Sequence, residues 1–206
     1  MAHEFGQIMF TEAVKKLQER YGSRRQYERM AEAGASHEEM GASEAEFIQA
    51  RDSFYMASAG ENGWPYMQHR GGPKGFLKVI DGRTLAFADF GGNKQYVSVG
   101  NITTNNKVSL FLIDYPHQAR LKILGHAEIL DPEQDAALSK SVELPGYKAK
   151  VERIIRIHVD AFDWNCPQHI TPRFTEEELK EAVQPLVKQI AELKAENTWL
   201  RQGVKK

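Results

Sequence analysis

The stretch Leu85–Tyr96, reading Leu-Ala-Phe-Ala-Asp-Phe-Gly-Gly-Asn-Lys-Gln-Tyr, places small residues, backbone donors and a cation together. An apolar strand through Phe87, Ala88 and Asp89 passes Gly91 and Gly92 and is expected to enter a short helix bearing Lys94 in its first turn. Free N–H groups at a helix start, glycines that permit close approach and one adjacent cation are the parts of a phosphate seat. Asn93 adds donors. The same strand-Gly-Gly-helix pattern also serves as plain punctuation, so a second cluster matters. In Pro65–Lys78, Gln68, His69 and Arg70 end one strand and Lys78 sits on the next. Cations on adjacent strands can converge on one phosphate, the alternative being solvated hairpin charges.

Other chemistries find little support. Neither Gly-x4-Gly-Lys-Ser/Thr nor Gly-x-Gly-x-x-Gly occurs. The seven histidines show no His-x3-His or HExxH spacing, and one cysteine cannot build a thiolate zinc site, so no metal is expected. Cys166 precedes His169 by three residues, yet nothing in the sequence supplies an oriented base and an oxyanion site, and a packed, inert thiol is the expectation. Lys and Arg total 27 against 28 Asp and Glu, which removes the polyelectrolyte argument for nucleic-acid binding. Any bound anion should be small. The N-terminal residues lack a signal-peptide pattern and apolar runs stay far below the roughly 18 residues of a membrane span, so a cytoplasmic protein is expected.

The elements that must position these residues fall in three parts. Residues 1–50 read as a helical arm: Thr11 can cap a helix bearing Val14 and Leu17, and a second helix fits Ser43 to Arg51. Ala33–Ser36 and Met40–Ser43 are punctuation, and Arg24 and Arg25 read as a solvated face. From Asp52 to about Trp164, within a β domain expected over residues 51–174, the period changes to two. Strands are expected at Ser53–Ala59, Pro65–Arg70, Phe76–Ile80, Thr84–Phe90, Lys107–Asp114, Ala119–Leu130 and Val151–Phe162. Asn62-Gly63 and Asp81-Gly82 are hairpin dipeptides that tolerate positive φ, so neighbouring strands are antiparallel. Ile155, Ile157, Val159 and Ala161 alternate with Arg156, His158 and Asp160, giving one core face and one wet face. A helix is expected after Asp131-Pro132-Glu133-Gln134, with Asp131 as N-cap. Six or seven antiparallel strands suggest a small barrel, because closure removes exposed edges.

Residues 175–206 open with the capping box Thr175 to Glu178. Leu179, Val183, Leu186, Ile190, Leu193, Asn197 and Leu200 then form a heptad seam with Leu at every d and Val, Ile and Asn at successive a positions. Pro185 inside it should kink or divide the helix. Two readings stay open, a two-stranded coil and an amphipathic helix packing its stripe on a barrel, in cis or in trans.

These segments, in this order, resemble the flavin-binding split-barrel family typified by pyridoxamine 5′-phosphate oxidase, over roughly residues 50–174. The blocks carrying the likeness are Gly63–Pro73 and Phe162–Phe174. The resemblance implies a mainly β, six- to seven-stranded antiparallel split barrel with flanking helices, a helical N-terminal arm and a long C-terminal helix. It also implies a homodimer holding FMN at the subunit interface. Position by position, Lys94 matches the lysine of the family's Ser-Arg-Lys phosphate motif, with Gly92 and Asn93 in place of Ser and Arg. Lys78 matches the lysine of Arg-x-x-Leu-Leu-Lys, whose arginine position reads Pro73, with Arg70 or Gln68 compensating. Phe87, Ala88 and Asp89 fall where the family's strand passes the flavin ring; Arg120 replaces a glutamine that reaches FMN from the other subunit; Trp164 and Arg173 are similar to late residues bordering the ring. The tyrosine and arginine with which the oxidase proper grips its vitamin substrate are absent from Ala136–Gly146, which implies another small-molecule substrate.

The expected function is therefore that of an FMN-dependent oxidoreductase drawing on a nicotinamide or small organic donor. His69 or His169 could approach substrate, although either fits a structural hydrogen-bonding role. The alternatives are the same fold binding F420 or haem, and a non-catalytic flavin-binding or assembly protein whose tail recruits a partner.

Overall fold

The computed structural model describes residues 3–32, 39–164 and 166–203. The punctuation expected at Ala33–Ser36 lies outside them. By their contacts the residues group into two compact units, one within Met1–Asp114 and Ala119–Pro167, the other comprising Tyr115–Gln118 and the chain from Gln168.

The first unit is mainly β. Its strands are β1 (Ser53–Ala59), β2 (Pro65–Gly71), β3 (Lys78–Asp81), β4 (Thr84–Phe90), β5 (Lys107–Asp114), β6 (Ala119–Leu130) and β7 (Val151–Trp164). All join one antiparallel sheet in the order β2-β1-β5-β6-β7-β4-β3. This is a seven-stranded split barrel with flanking helices. Hydrogen-bonded closure stops short: the order has two ends, and the split falls between β2 and β3.

Alternation builds the core. Phe54 and Met56 of β1, Leu85 and Phe87 of β4, Leu110 and Leu112 of β5, Leu121 and Ile123 of β6, and Ile155 and Ile157 of β7 meet in one cluster. Phe54 stacks on Phe76 at 5.6 Å, and both meet the edge of Phe87. The wet face expected for β7 is also found, with Arg156 bound to Glu128 at 2.6 Å on the exposed side.

The hairpins form as their dipeptides predict, though by different means. Gly63 takes φ +79 between β1 and β2, whereas Gly82 stays outside the left-handed region and its carbonyl accepts the Met40 N–H. Among its described residues the N-terminal segment holds four helices, α1 (His3–Met9), α2 (Glu12–Arg20), α3 (Arg24–Glu32) and α4 (Ala42–Gln49). Thr11 caps α2 by accepting the Val14 N–H. The Arg24-Arg25 pair belongs to α3, where Arg24 binds Glu28 and Gln18 instead of only meeting solvent.

Two helix starts differ from expectation. Asp131 and Gln134 close a turn on each other, and Asp135 caps α6 (Ala136–Val142) by accepting the Leu138 N–H. The later start lets Leu138 and Val142 cover Ala86, Ala88 and Ile154 on the outer face of the sheet. After β4 the helix α5 (Val97–Thr104) begins beyond Lys94, because Tyr96 holds a left-handed N-cap conformation at φ 54.

The second unit carries α7 (Glu176–Gly203), entered through the expected capping box: Thr175 Oγ1 accepts the Glu178 N–H, and Glu178 Oε2 accepts the Thr175 N–H. Pro185 does not divide it. Proline forfeits one backbone bond, and the flanking turns retain theirs.

Candidate functional site

Strand ends assemble the site. Along β2, Tyr66, Gln68 and Arg70 share one face and are half-buried, while Met67 and His69 point the other way and are exposed. On β4, Asp89 follows Leu85 and Phe87 on the inward parity, and β7 brings Arg153 directly opposite it. Three charges thus meet at the end of the barrel interior. Arg70 forms an ion pair with Asp89 Oδ1, and Arg153 reaches Asp89 Oδ2 at 3.1 Å and Glu152 at 2.6 Å. Asp89 is 5% exposed, so its charge depends on these partners rather than on water. Arg70 also lies 5.8 Å above the Phe87 ring. Its Nε is buried with no hydrogen-bond partner among the described residues.

A hollow of about 190 Å³ opens on this cluster, lined also by Gly92, Asn93, Lys94 and the first turn of α5. The loop that closes it is tightly wound. Asn93 Oδ1 accepts the Gln95 N–H at 3.1 Å, and Lys94 and Tyr96 both take positive φ, at 57 and 54. Such conformations in residues other than glycine cost about 1 kcal/mol or more and concentrate where binding needs them. Tyr96 provides no side-chain cap for α5. Val97, Ser98 and Val99 line the hollow, and the N–H groups of this first turn receive no cap from the Tyr96 side chain. Ser98 donates its hydroxyl to Gln68 Oε1 at 2.7 Å, which ties α5 to β2. Among the lining residues Arg70, Lys94 and Arg153 oppose Asp89 and Glu152, a surplus of one positive charge.

Of the residues singled out from sequence, the structure brings Gln68, Arg70, Asp89, Asn93 and Lys94 to this one hollow. Lys94 arrives from the loop instead of the helix. The others lie elsewhere. His69 packs on Tyr55 at 5.6 Å, on the opposite face of β2. Lys78, the first residue of β3, pairs with Ala86 of β4, and Ala88 is buried under α6. Arg120 stands opposite Ile113 at the start of β6. Trp164 donates its indole N–H to Glu44 Oε1 at 2.8 Å and meets Phe47 edge-on. Arg173, in the second unit, lies 4.7 Å over the Tyr115 ring. Cys166 is exposed, not packed as expected. His169 takes φ 64.

Arg153, Glu152 and Tyr96 escape the sequence reading, although for Arg153 the signal is present. It falls on the parity of Ile155, Ile157 and Val159, so it is a charge on the core face of its strand. A charge there requires a buried partner. Among the described residues no group of histidines, cysteines and carboxylates is arranged to hold a metal, and no helix is long and apolar enough to cross a membrane.

The family model of pyridoxamine 5′-phosphate oxidase matches residues 40–161 of this chain. No curated protein matches it. Among solved structures, HupZ of Group A Streptococcus aligns at 16% identity over 66% of this chain and 100% of its own, with a TM-score of 0.49. A candidate pyridoxamine 5′-phosphate oxidase from Lactobacillus delbrueckii aligns at 17% identity over 63% of this chain and 97% of its own, TM-score 0.47. An F420 reductase aligns at 20% over 57% and 94%, TM-score 0.42.

Proposed function

This chain belongs to the pyridoxamine 5′-phosphate oxidase family, and on that premise we propose that it is an FMN-binding oxidoreductase whose hollow beside Arg70 receives the cofactor's phosphate. The observation that carries the reading is the orphaned Arg70 Nε beside an uncapped helix start. A buried guanidinium N–H without an acceptor is costly, and a phosphate oxygen satisfies it. The N–H groups of the first turn of α5 and the Lys94 ammonium supply further donors of the kind a dianion needs.

The hollow is also small. Sites for whole cofactors usually measure about 300–1,000 Å³, so 190 Å³ accommodates the phosphate end alone. The ring then lies outside it, and a second copy of the chain covers that ring. His69, Lys78, Arg120 and Trp164, which lie outside the hollow, are candidates for such a surface, whereas Ala88 is buried under α6.

When bound, the flavin supplies the electron transfer, and the protein's part is to bind, orient and tune. Asp89 holds Arg70 through Oδ1 and Arg153 through Oδ2 and offsets part of their charge. Gln68 and Ser98 fix β2 against α5, so the donors on both sides of the hollow keep their spacing. The helix α6, reading Ala-Ala-Leu-Ser-Lys-Ser-Val, carries neither tyrosine nor arginine. A substrate other than pyridoxamine phosphate follows, with a nicotinamide or small organic compound as donor.

The test is the absorption spectrum of the purified full chain, followed by denaturation and identification of what is released. Flavin bands with free FMN are expected, and Arg70→Ala with Lys94→Ala should leave the protein depleted of flavin. A colourless protein that takes up no added FMN would overturn the reading in favour of F420, haem or a non-catalytic role, the first two separated by their absorption maxima. Wild-type flavin occupancy in the double variant would remove both residues from the site.

A further inference from the structure

The helix α7 is continuous for 28 residues, about 42 Å at the helical rise. Every residue from Leu179 to Gln202 is exposed. The seam residues Leu179, Val183, Leu186, Ile190, Leu193 and Leu200 are each 45–56% exposed. A helix draws most of its stability from packing an apolar face, and among the described residues this face is left exposed.

We propose that α7 pairs with α7 of a second copy as a parallel, in-register two-stranded coiled coil. The charges flanking the seam choose both partner and direction. With Val183, Ile190 and Asn197 at a, the g positions are Ala182, Gln189 and Glu196, and the e positions are Lys180, Val187, Lys194 and Arg201. A parallel pair sets each g against the e of the next heptad on the other helix. The resulting contacts are Ala182 with Val187, Gln189 with Lys194, and Glu196 with Arg201. The first is apolar, the last an ion pair made twice by symmetry, and none is repulsive. An antiparallel pair sets e against e, which opposes Lys180 to Arg201, and faces Asn197 with leucine.

Asn197 decides register. At a, it meets its twin only when both chains are aligned, and β-branched a residues with leucine at d favour two strands. Pro185 falls at c, on the outer side, so its ring stays clear of the seam. Within one helix Glu196 and Arg201 are five apart and do not face each other, whereas Glu192 and Glu196 are like charges four apart. The cation that Glu196 lacks on its own helix is supplied by the other.

Cross-linking the full chain tests this. In a Cys166→Ser background, Asn197→Cys at a should form a disulfide dimer about tenfold faster than Lys188→Cys at f, since only the former thiols are held together. Adding Glu196→Lys should slow the Asn197→Cys reaction, although that substitution turns the like-charge neighbours at positions 192 and 196 into a favourable pair within the helix. Adding Arg201→Glu as well should restore the rate. Equal rates for positions 188 and 197 would overturn the proposal, as would no cross-link at 197, the antiparallel outcome. A Glu196→Lys variant that reacts as fast as its parent would overturn the parallel alignment.

Discussion

Among the described residues of the first unit three carboxylates are buried, and two of them, Glu44 and Asp89, are held in opposite ways. Glu44, 4% exposed on α4, accepts the Trp164 indole N–H at 2.8 Å, the Gly41 N–H at 2.9 Å and the Ser43 hydroxyl at 3.0 Å. All three donors are neutral. Burial pushes the Glu44 carboxyl up, but those hydrogen bonds together outweigh it and hold the pKa below its ordinary value. Asp89 is instead held by two guanidiniums, one of which keeps an unpaired N–H. Glu44 thus closes its network within the chain, pinning α4 to the end of β7. Asp89 leaves its network with an open donor, and Lys94 adds the surplus positive charge of the hollow, which fits the proposed anion. The difference separates a carboxylate whose bonds close within the chain from one whose partner keeps an unmet donor, as the proposed phosphate site requires.

The sharpest way to break this contrast is Asp89→Ala. Removing one partner of a buried charge cluster leaves the others uncompensated, at a cost of about 3 kcal/mol. Thermal unfolding should show the loss, and added inorganic phosphate should raise the variant's Tm more than the wild type's, because phosphate can take the vacated place between Arg70 and Arg153. Equal phosphate responses would mean that the two arginines serve the fold alone.

Glu44 should answer to pH instead. Its folded pKa is depressed, so its contribution is complete above the usual carboxylate range and is lost as pH falls through that range to the folded value. Trp164→Phe keeps the ring against Phe47 and deletes one hydrogen bond to a charged acceptor, worth about 2 kcal/mol at neutral pH. Denaturant titrations at descending pH should find the variant's deficit shrinking as Glu44 is protonated. A deficit unchanged with pH would place the loss in packing.

Much of this architecture is legible in the sequence. The bounds of β1, β4, β5 and β6 follow from alternation and turn dipeptides, because a strand with one buried face must repeat every two residues. The starts of α5 and α6 are not, since each depends on tertiary contacts. Asp131 and Asp135 are both competent caps, and only the covering of Ala86 and Ala88 selects the second. The left-handed Tyr96 has no local sequence signature, so the pattern puts Lys94 inside a helix when it belongs to the loop before it. Five residues of the proposed site are legible because Asp89, Asn93 and Lys94 flank Gly91 and Gly92, and Gln68 and Arg70 fall towards the end of β2. Trp164 stands out in the sequence, but its tie to Glu44 links residues 120 apart, a pairing that spacing cannot reveal.

The smallest effect supplies the reference for both carboxylates. Arg156 and Arg153 lie three residues apart on β7, each against an acidic partner on a neighbouring strand. Arg156 is on the wet face, its side chain 38% exposed and that of Glu128 53%, so water replaces whatever the pair loses. Arg153 is on the core face, where Asp89 has little access to water. Arg156→Ala should therefore cost under about 1 kcal/mol, with the cost falling further in high salt. Arg153→Ala should cost more and resist screening, because Asp89 loses a partner that solvent cannot replace. Chemical denaturation of both variants at low and high salt checks this. Matching losses would mean that parity, the feature that puts Arg153 on the core face beside the hollow, does not govern the strength of its charge pair.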